Sequence, residues 1–191
     1  QVHNDAQVFG QATVYGYVKI YNYAIVCDDS KISGYVEIYD NAKIYGDTYV
    51  YDNAKVCGNA KIYGYAQISN ESEIYGHAHI CGDAKVLGNA VIRGYAHIYG
   101  HAGICGNAKV YGKSTVRNSA IVSEYAKIYD NCYISGHSQI RGFAKVHGSA
   151  IVTDYAKVYG HAEIYGDALI NISSEIYDDM KVEGNTTICD G

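Results

Sequence analysis

Histidine is the side chain in this sequence best suited to acid–base chemistry near neutral pH. The chain contains eight histidines: His3, His77, His79, His97, His101, His137, His147 and His161. His79 and His97 lie 18 residues apart, and His77 lies two residues before His79. A pair of imidazoles could act as a general base or hold a metal ion. Whether these two rings meet depends on the elements that position them.

A six-residue repeat runs along the chain without an insertion or deletion. Every sixth residue over positions 2–188 is Val or Ile, 32 sites in all. Every sixth residue over positions 6–186 is mostly small, with 20 Ala and five Ser among 31 sites. Positions 4–190 give 19 Gly, seven Asp and four Asn among 32 sites, and these residues tolerate positive φ. The repeat predicts short strands with one buried face, separated by backbone bends.

Such uniform spacing predicts a coil of parallel strands rather than a meander of hairpins. If three strands close one triangular turn, each coil uses 18 residues, and residues 1–191 form one all-β solenoid of about 10 coils without inserted loops. Strands about 4.8 Å apart would give a length of roughly 50 Å. Residues 18 apart become neighbours on adjacent coils, so we expect His79 and His97 to stack. The repeat alone does not determine the handedness.

Several segments carry the repeat in its clearest form, among them ICGNAKVYG at 104–112, VYGHAEIYG at 158–166 and IYGYAQIS at 62–69. These motifs resemble the hexapeptide-repeat family over essentially the whole chain. The resemblance implies a left-handed parallel β-helix. It implies little about activity, because the family includes acyltransferases, nucleotidyltransferase domains, γ-class carbonic anhydrases and non-catalytic structural proteins.

The resemblance also implies where catalysis would occur in such a fold. Acyltransferases of the family place a catalytic histidine in a cleft between subunits, which leaves His79 and His97 as candidate catalytic residues here. They usually carry a protruding loop and a terminal helical segment, and this sequence has neither. A carbonic anhydrase would need three converging histidines across a trimer interface. The simpler interpretation is isolated surface histidines, with no catalytic residue and no metal site.

The cysteines are expected to be free thiols. The six cysteines are Cys27, Cys57, Cys81, Cys105, Cys132 and Cys189. No two of them are one coil apart, whereas a disulfide needs Cα atoms within about 7 Å. Free thiols favour a reducing environment such as the cytoplasm, and a cell surface or virion would fit an anaerobic or processed protein.

Tyrosine is heavily used, with 22 residues. One predicted column contains Tyr21, Tyr39, Cys57, Tyr75, Arg93, Tyr111, Tyr129, His147 and Tyr165, with rings and cations expected in edge-wise stacks. The simpler interpretation is strand propensity and shielding of the backbone. The alternative is that Tyr21, Tyr39, Tyr111 and Tyr129 contact polysaccharide or other copies of the chain.

Two further ladders face outward. One reads Gln1, Lys19, Glu37, Lys55, Glu73, Val91, Lys109, Lys127, Lys145, Glu163 and Lys181, and we interpret it as a ladder of exposed charge pairs. The other places Tyr133, Ile151 and Leu169 on successive coils. Three apolar side chains in a row on a flat face predict a subunit contact.

Composition excludes two classes of partner. The formal net charge is -5 and no run of Lys or Arg occurs, so nucleic-acid binding has no electrostatic basis. No apolar stretch approaches the length of a membrane span, so we predict a soluble protein. Because the chain starts at Gln1 already in phase with the repeat, we expect a processed chain or a fragment of a longer one.

The absence of inserted loops shapes the functional prediction, because catalytic residues are usually carried on loops. We therefore expect a non-catalytic structural module, a rigid solenoid of the bacterial or phage fibre type. It would self-associate end to end, through unpaired strand edges, or through its flat faces, and it would need no cofactor. The alternative is a trimeric hexapeptide-repeat acyltransferase that uses acetyl-CoA.

Overall fold

The computed structural model describes residues 1–189, which form three parallel β-sheets wound into one β-helix. The first sheet contains β1 Gln7–Val8, β4 Ile25–Val26, β7 Lys43–Ile44, β10 Lys61–Ile62, β13 His79–Ile80, β16 His97–Ile98, β19 Thr115–Val116, β22 Tyr133–Ile134, β25 Ile151–Val152, β28 Leu169–Ile170 and β31 Thr187–Ile188. The second contains β2 Thr13–Gly16, β5 Lys31–Gly34, β8 Tyr49–Val50, β11 Gln67–Ile68, β14 Lys85–Val86, β17 Gly103–Ile104, β20 Ile121–Val122, β23 Gln139–Ile140, β26 Lys157–Val158 and β29 Glu175–Ile176. The third contains β3 Lys19–Ile20, β6 Glu37–Ile38, β9 Lys55–Val56, β12 Glu73–Ile74, β15 Val91–Ile92, β18 Lys109–Val110, β21 Lys127–Ile128, β24 Lys145–Val146, β27 Glu163–Ile164 and β30 Lys181–Val182.

Each strand pairs with the strand three places later in the chain, at an offset of 18 residues. The register is constant: Lys61 pairs with His79, and His79 pairs with His97. The same offset holds in the third sheet, where Lys109 pairs with Lys127. The prediction of three strands per 18-residue coil is therefore confirmed.

The bends fall where the repeat predicted them. Every sixth residue over positions 4–184 has a positive φ, including the untypical Glu124 at 61° and Ile172 at 57°. At Gly112, with φ of 75°, an added Cβ would collide with the backbone of Asp130 on the next coil. The close approach of successive coils therefore adds a second reason for glycine here, besides its freedom to adopt positive φ.

Asp at the bends adds a bond that glycine cannot make. The Asp130 carboxylate accepts a hydrogen bond from the backbone N–H of Gly148 at 3.1 Å, one coil further on. The Glu124 carboxylate accepts one from Gly142 in the same way, at 3.0 Å. These bonds link successive bends and offset the cost of positive φ in a residue with a side chain.

The interior is filled by the branched and small residues of the repeat. Ile80, Ile98 and their equivalents on most coils are fully buried, as are alanines such as Ala96. Cys132, at an alanine site, donates its thiol to the Tyr129 carbonyl at 3.0 Å. Because packed core residues occupy every inward position, a binding or catalytic site must be formed by outward-facing side chains.

Candidate functional site

The predicted stack of His79 on His97 is present on the first sheet. The two imidazole rings lie with 5.0 Å between centroids and 24° between planes. Strands β13 and β16 hold them, because the His79 amide N–H donates to the Ala96 carbonyl at 2.9 Å. His79 is half-buried, whereas His97 is exposed. His77 stacks instead on Tyr95, with 4.7 Å between centroids.

The surroundings of His79 favour a neutral imidazole. Burial lowers its pKa below the usual value, and the positive charges of His97, Lys61 and His77 lower it further. A neutral imidazole can accept a proton, which is what a general base must do. His79 is therefore suited to accept a proton.

The same outward ladder continues from the histidines to the predicted subunit contact. Thr115 pairs with His97 on one side and with Tyr133 on the other. Ile151 and Leu169 follow in register, and 37% of Ile151 is exposed. The His pair and the apolar residues therefore share one face of the β-helix. Whether a second subunit covers this face stays a prediction.

The tyrosine column is ordered differently from the prediction. Tyr21 and Tyr39 stack with 5.0 Å between centroids and 4° between planes, and Tyr111 and Tyr129 with 5.2 Å and 7°. Tyr129 continues onto His147 at 4.7 Å. The expected edge-wise stacking is wrong: equal ring positions on strands in constant register bring the faces together.

The lysine ladder of the third sheet forms a groove of about 670 Å³. Lys109, Lys127 and Lys145 follow one another in register, so like charges are neighbours. Beside them, the rings of Tyr125, Phe143 and His161 form a stack with centroids 5.0 Å apart.

The ends of this ladder differ in their pairing. Glu163 lies 3.8 Å from Lys145 and 3.7 Å from Lys181, but within residues 1–189 no acidic partner lies within 4.0 Å of Lys109 or Lys127. The groove therefore carries unneutralised positive charge. The sequence contained the signal, three lysines at intervals of 18, but its interpretation as a ladder of charge pairs missed the groove.

Other kinds of site are not evident in the part of the chain that the structure describes. No group of three or more His, Cys, Asp or Glu side chains is placed to hold a metal ion there. The six cysteines are free thiols. No helix among the described residues has the length and apolar character needed to cross a membrane.

Comparisons with known proteins find similarity in fold but not in sequence. No family model matches the chain, and no curated protein matches it. The UDP-N-acetylglucosamine acyltransferase of Arabidopsis matches with a TM-score of 0.77 and 18% identity, over 92% of this chain and 68% of that one. The UDP-N-acetylglucosamine O-acyltransferase of Moraxella catarrhalis matches with a TM-score of 0.50 and 16% identity, over 87% and 68%. The chain has the hexapeptide-repeat, left-handed parallel β-helix fold, as its motifs predicted.

These comparisons correct the functional prediction. We expected a non-catalytic structural rod, yet the two solved structures described above, which share this fold, are acyltransferases. The finding favours the alternative that the resemblance offered. The absence of inserted loops does not by itself identify a non-catalytic protein, because two acyltransferases share this β-helix fold.

Proposed function

We propose that the chain is an acyltransferase that moves an acetyl group from acetyl-CoA to a hydroxyl group of an acceptor. The observation that carries the proposal is the stacked His79 and His97 pair, in which the lowered pKa keeps His79 ready to accept a proton. The shared fold with two acyltransferases supports it.

In the proposed reaction, His79 acts as the general base. Its imidazole accepts the proton of the acceptor hydroxyl while the hydroxyl oxygen attacks the thioester carbonyl carbon of acetyl-CoA. The new C–O bond forms, the C–S bond breaks, and the protonated His79 returns its proton to the departing CoA thiolate. His97 and Lys61 assist because their electrostatic interaction with His79 lowers its pKa and so disfavours its protonation before the substrate arrives.

The proposed active site is completed by a partner subunit. The resemblance to hexapeptide-repeat acyltransferases implies a trimer with catalytic histidines between subunits. A threefold ring uses two different surfaces of each protomer. The first sheet supplies one of them, with His97 only two strands from Tyr133 along the ladder toward the exposed Ile151.

The third sheet supplies the other surface in this arrangement. Its groove along Lys109 and Lys127 offers positive charge to the diphosphate of acetyl-CoA, which would lie across from the histidines of the neighbouring protomer. The first acceptor to test is UDP-N-acetylglucosamine, because the similar structures are named for it.

The test is the rate of CoA thiol release from acetyl-CoA in the presence of UDP-N-acetylglucosamine, for the unaltered chain and two variants. We expect His79→Gln to lower the rate by about 100-fold, the usual contribution of a general base. His101→Gln is the matched control, since His101 is exposed and its nearest charged partner is Asp83 at 3.5 Å. Equal rates for His79→Gln and the unaltered chain would refute the proposed role.

A further inference from the structure

A gap interrupts the aromatic column of the third sheet. The column runs from Tyr21 through Tyr39 to Cys57 and then to Tyr75, each residue one coil above the last. Cys57 stands where its neighbours carry rings, and its side chain is far smaller than a phenol. A cavity of about 280 Å³ opens at this point, lined by Tyr39, Lys55, Cys57, Glu73, Ile74 and Tyr75.

The dimensions of the gap match one planar ring. Tyr21 and Tyr39 stack with 5.0 Å between centroids and nearly parallel planes, which covers one face of Tyr39. Tyr39 and Tyr75 are two strand spacings apart, about 9.6 Å. A flat ring placed midway would continue the stack at the spacing that the protein's own rings adopt. Stacked rings attract each other beyond the area that they bury.

The lining of the cavity includes two side chains of opposite charge, Lys55 and Glu73. Lys55 and Glu73 pair in register on β9 and β12, yet within residues 1–189 no ion-pair partner lies within 4.0 Å of either. Elsewhere in the same sheet, Lys19 closes on Glu37 at 2.9 Å. Because the Lys55 ammonium and the Glu73 carboxylate do not pair with each other, each can pair with the opposite charge of a ligand that carries both a carboxylate and an ammonium.

The Cys57 thiol, which lines the cavity, is suited to contact rather than reaction. Burial raises the pKa of Cys57, and the carboxylates of Asp40 and Glu73 raise it further, although the Tyr39 hydroxyl opposes the shift. The thiol is therefore protonated at neutral pH and is a poor nucleophile. A reversibly bound ligand fits this environment better than a covalent adduct.

We propose that the gap between Tyr39 and Tyr75 binds a free aromatic α-amino acid. The ring lies between the two phenols over Cys57, the ligand carboxylate pairs with Lys55, and the ligand ammonium pairs with Glu73. This site is on a different sheet from His79, and it does not depend on acetyl transfer.

The chain contains no tryptophan, so L-tryptophan is both ligand and probe. Its fluorescence, excited where tyrosine does not absorb, reports binding when the unaltered protein is titrated into it. We expect a saturable change in emission. Tryptamine and indole-3-propionate each lack one charge, so we expect each to bind at least 5-fold more weakly, as for the loss of one ion pair worth about 1 kcal/mol.

Substitutions at the cavity provide the matched controls. Cys57→Tyr fills the gap with a ring and should abolish binding, whereas Cys57→Ser keeps it open and should retain binding. Cys81 follows β13 of the first sheet and also lies between two tyrosines of adjacent coils, Tyr63 and Tyr99. Cys81→Tyr therefore makes the same change away from the cavity and should leave binding intact. Thermal unfolding checks that each variant folds. Lys55→Gln, at an exposed residue, and Glu73→Gln, at a half-buried one, test the site independently of the filled gap. No saturable change with the unaltered protein, or unchanged affinity in both charge variants, would overturn the proposal.

Discussion

The imidazole of His79 lies against that of His97, with 5.0 Å between the ring centroids, on adjacent parallel strands. Two imidazoles this close disfavour double protonation, because each charge raises the energy of the other. Lys61, the neighbour of His79 on the opposite side, acts in the same direction. This arrangement favours a neutral His79 on the surface of the first sheet.

The pH dependence of acetyl transfer should reflect this arrangement. Because the pKa of His79 is lowered, the base stays unprotonated at pH values at which an ordinary histidine begins to gain a proton, so activity should persist to lower pH than an ordinary histidine would allow. Lys61→Gln removes one positive charge, raises the pKa of His79 and should move the acid limb of the pH–rate profile to higher pH. Lys85→Gln, on the second sheet, is the control and should leave the limb in place. An acid limb that does not move in Lys61→Gln would contradict the assignment of His79 as the base.

The subunit contact predicted at Tyr133, Ile151 and Leu169 can be tested by introducing a charge. Ile151→Asp should weaken association because a carboxylate would be desolvated within an apolar contact. Ile121→Asp changes a residue of similar exposure on the second sheet, 43% against 37% for Ile151, and should leave the oligomer unchanged. Sedimentation velocity over a concentration series measures both. Equal effects of the two substitutions would place the contact elsewhere.

Glycine at a bend should be far less replaceable than glycine on a face. Gly112→Ala combines a φ of 75° with a collision of the new Cβ against the Asp130 backbone, and should lower the free energy of unfolding by roughly 1–3 kcal/mol. Gly103→Ala is the matched control, because its Cβ would meet only Ile121 Cγ1 at 3.9 Å. We expect it to be neutral or to stabilise by about 0.5 kcal/mol. Urea unfolding of both variants measures the difference.

Replacing a buried serine should stabilise the protein. Ser72 occupies an alanine site of the repeat, and its buried hydroxyl has no hydrogen-bond partner among residues 1–189. Ser72→Ala should therefore stabilise the protein by about 1 kcal/mol. At the equivalent site, the Ser138 hydroxyl donates to the Ser135 carbonyl at 2.8 Å. Ser138→Ala should therefore lower the free energy of unfolding by a similar amount. If Ser138→Ala instead stabilised the protein as much as Ser72→Ala, the Ser138 hydrogen bond would make no contribution to stability.

The fold could be predicted from the sequence because its determinants are local and repeated. Positive φ at every sixth residue determines the register, and that register brings His79 and His97 together across 18 residues. The predicted column of Tyr21 and Tyr39 also exists. The repeat determines where each residue lies in the β-helix, and these positions were predicted correctly.

The conformations of outward side chains could not be predicted in the same way. Whether Lys55 closes on Glu73, as Lys19 closes on Glu37, depends on rotamers and neighbours that the repeat does not specify. For the same reason, the groove beside Lys127 and the cavity over Cys57 became visible only in three dimensions. The proposed active site is harder again to predict from the sequence, because it combines surfaces of two protomers.

The most direct test of the proposed function is the binding of acetyl-CoA to the unaltered chain by isothermal titration calorimetry. We expect saturable binding with one site per protomer, weakened at least 10-fold in a Lys109→Gln, Lys127→Gln double variant that removes the two charges proposed to bind the diphosphate. A Lys31→Gln, Lys85→Gln double variant on the second sheet is the control with the same change in charge. No detectable binding of acetyl-CoA to the unaltered oligomer would contradict the account.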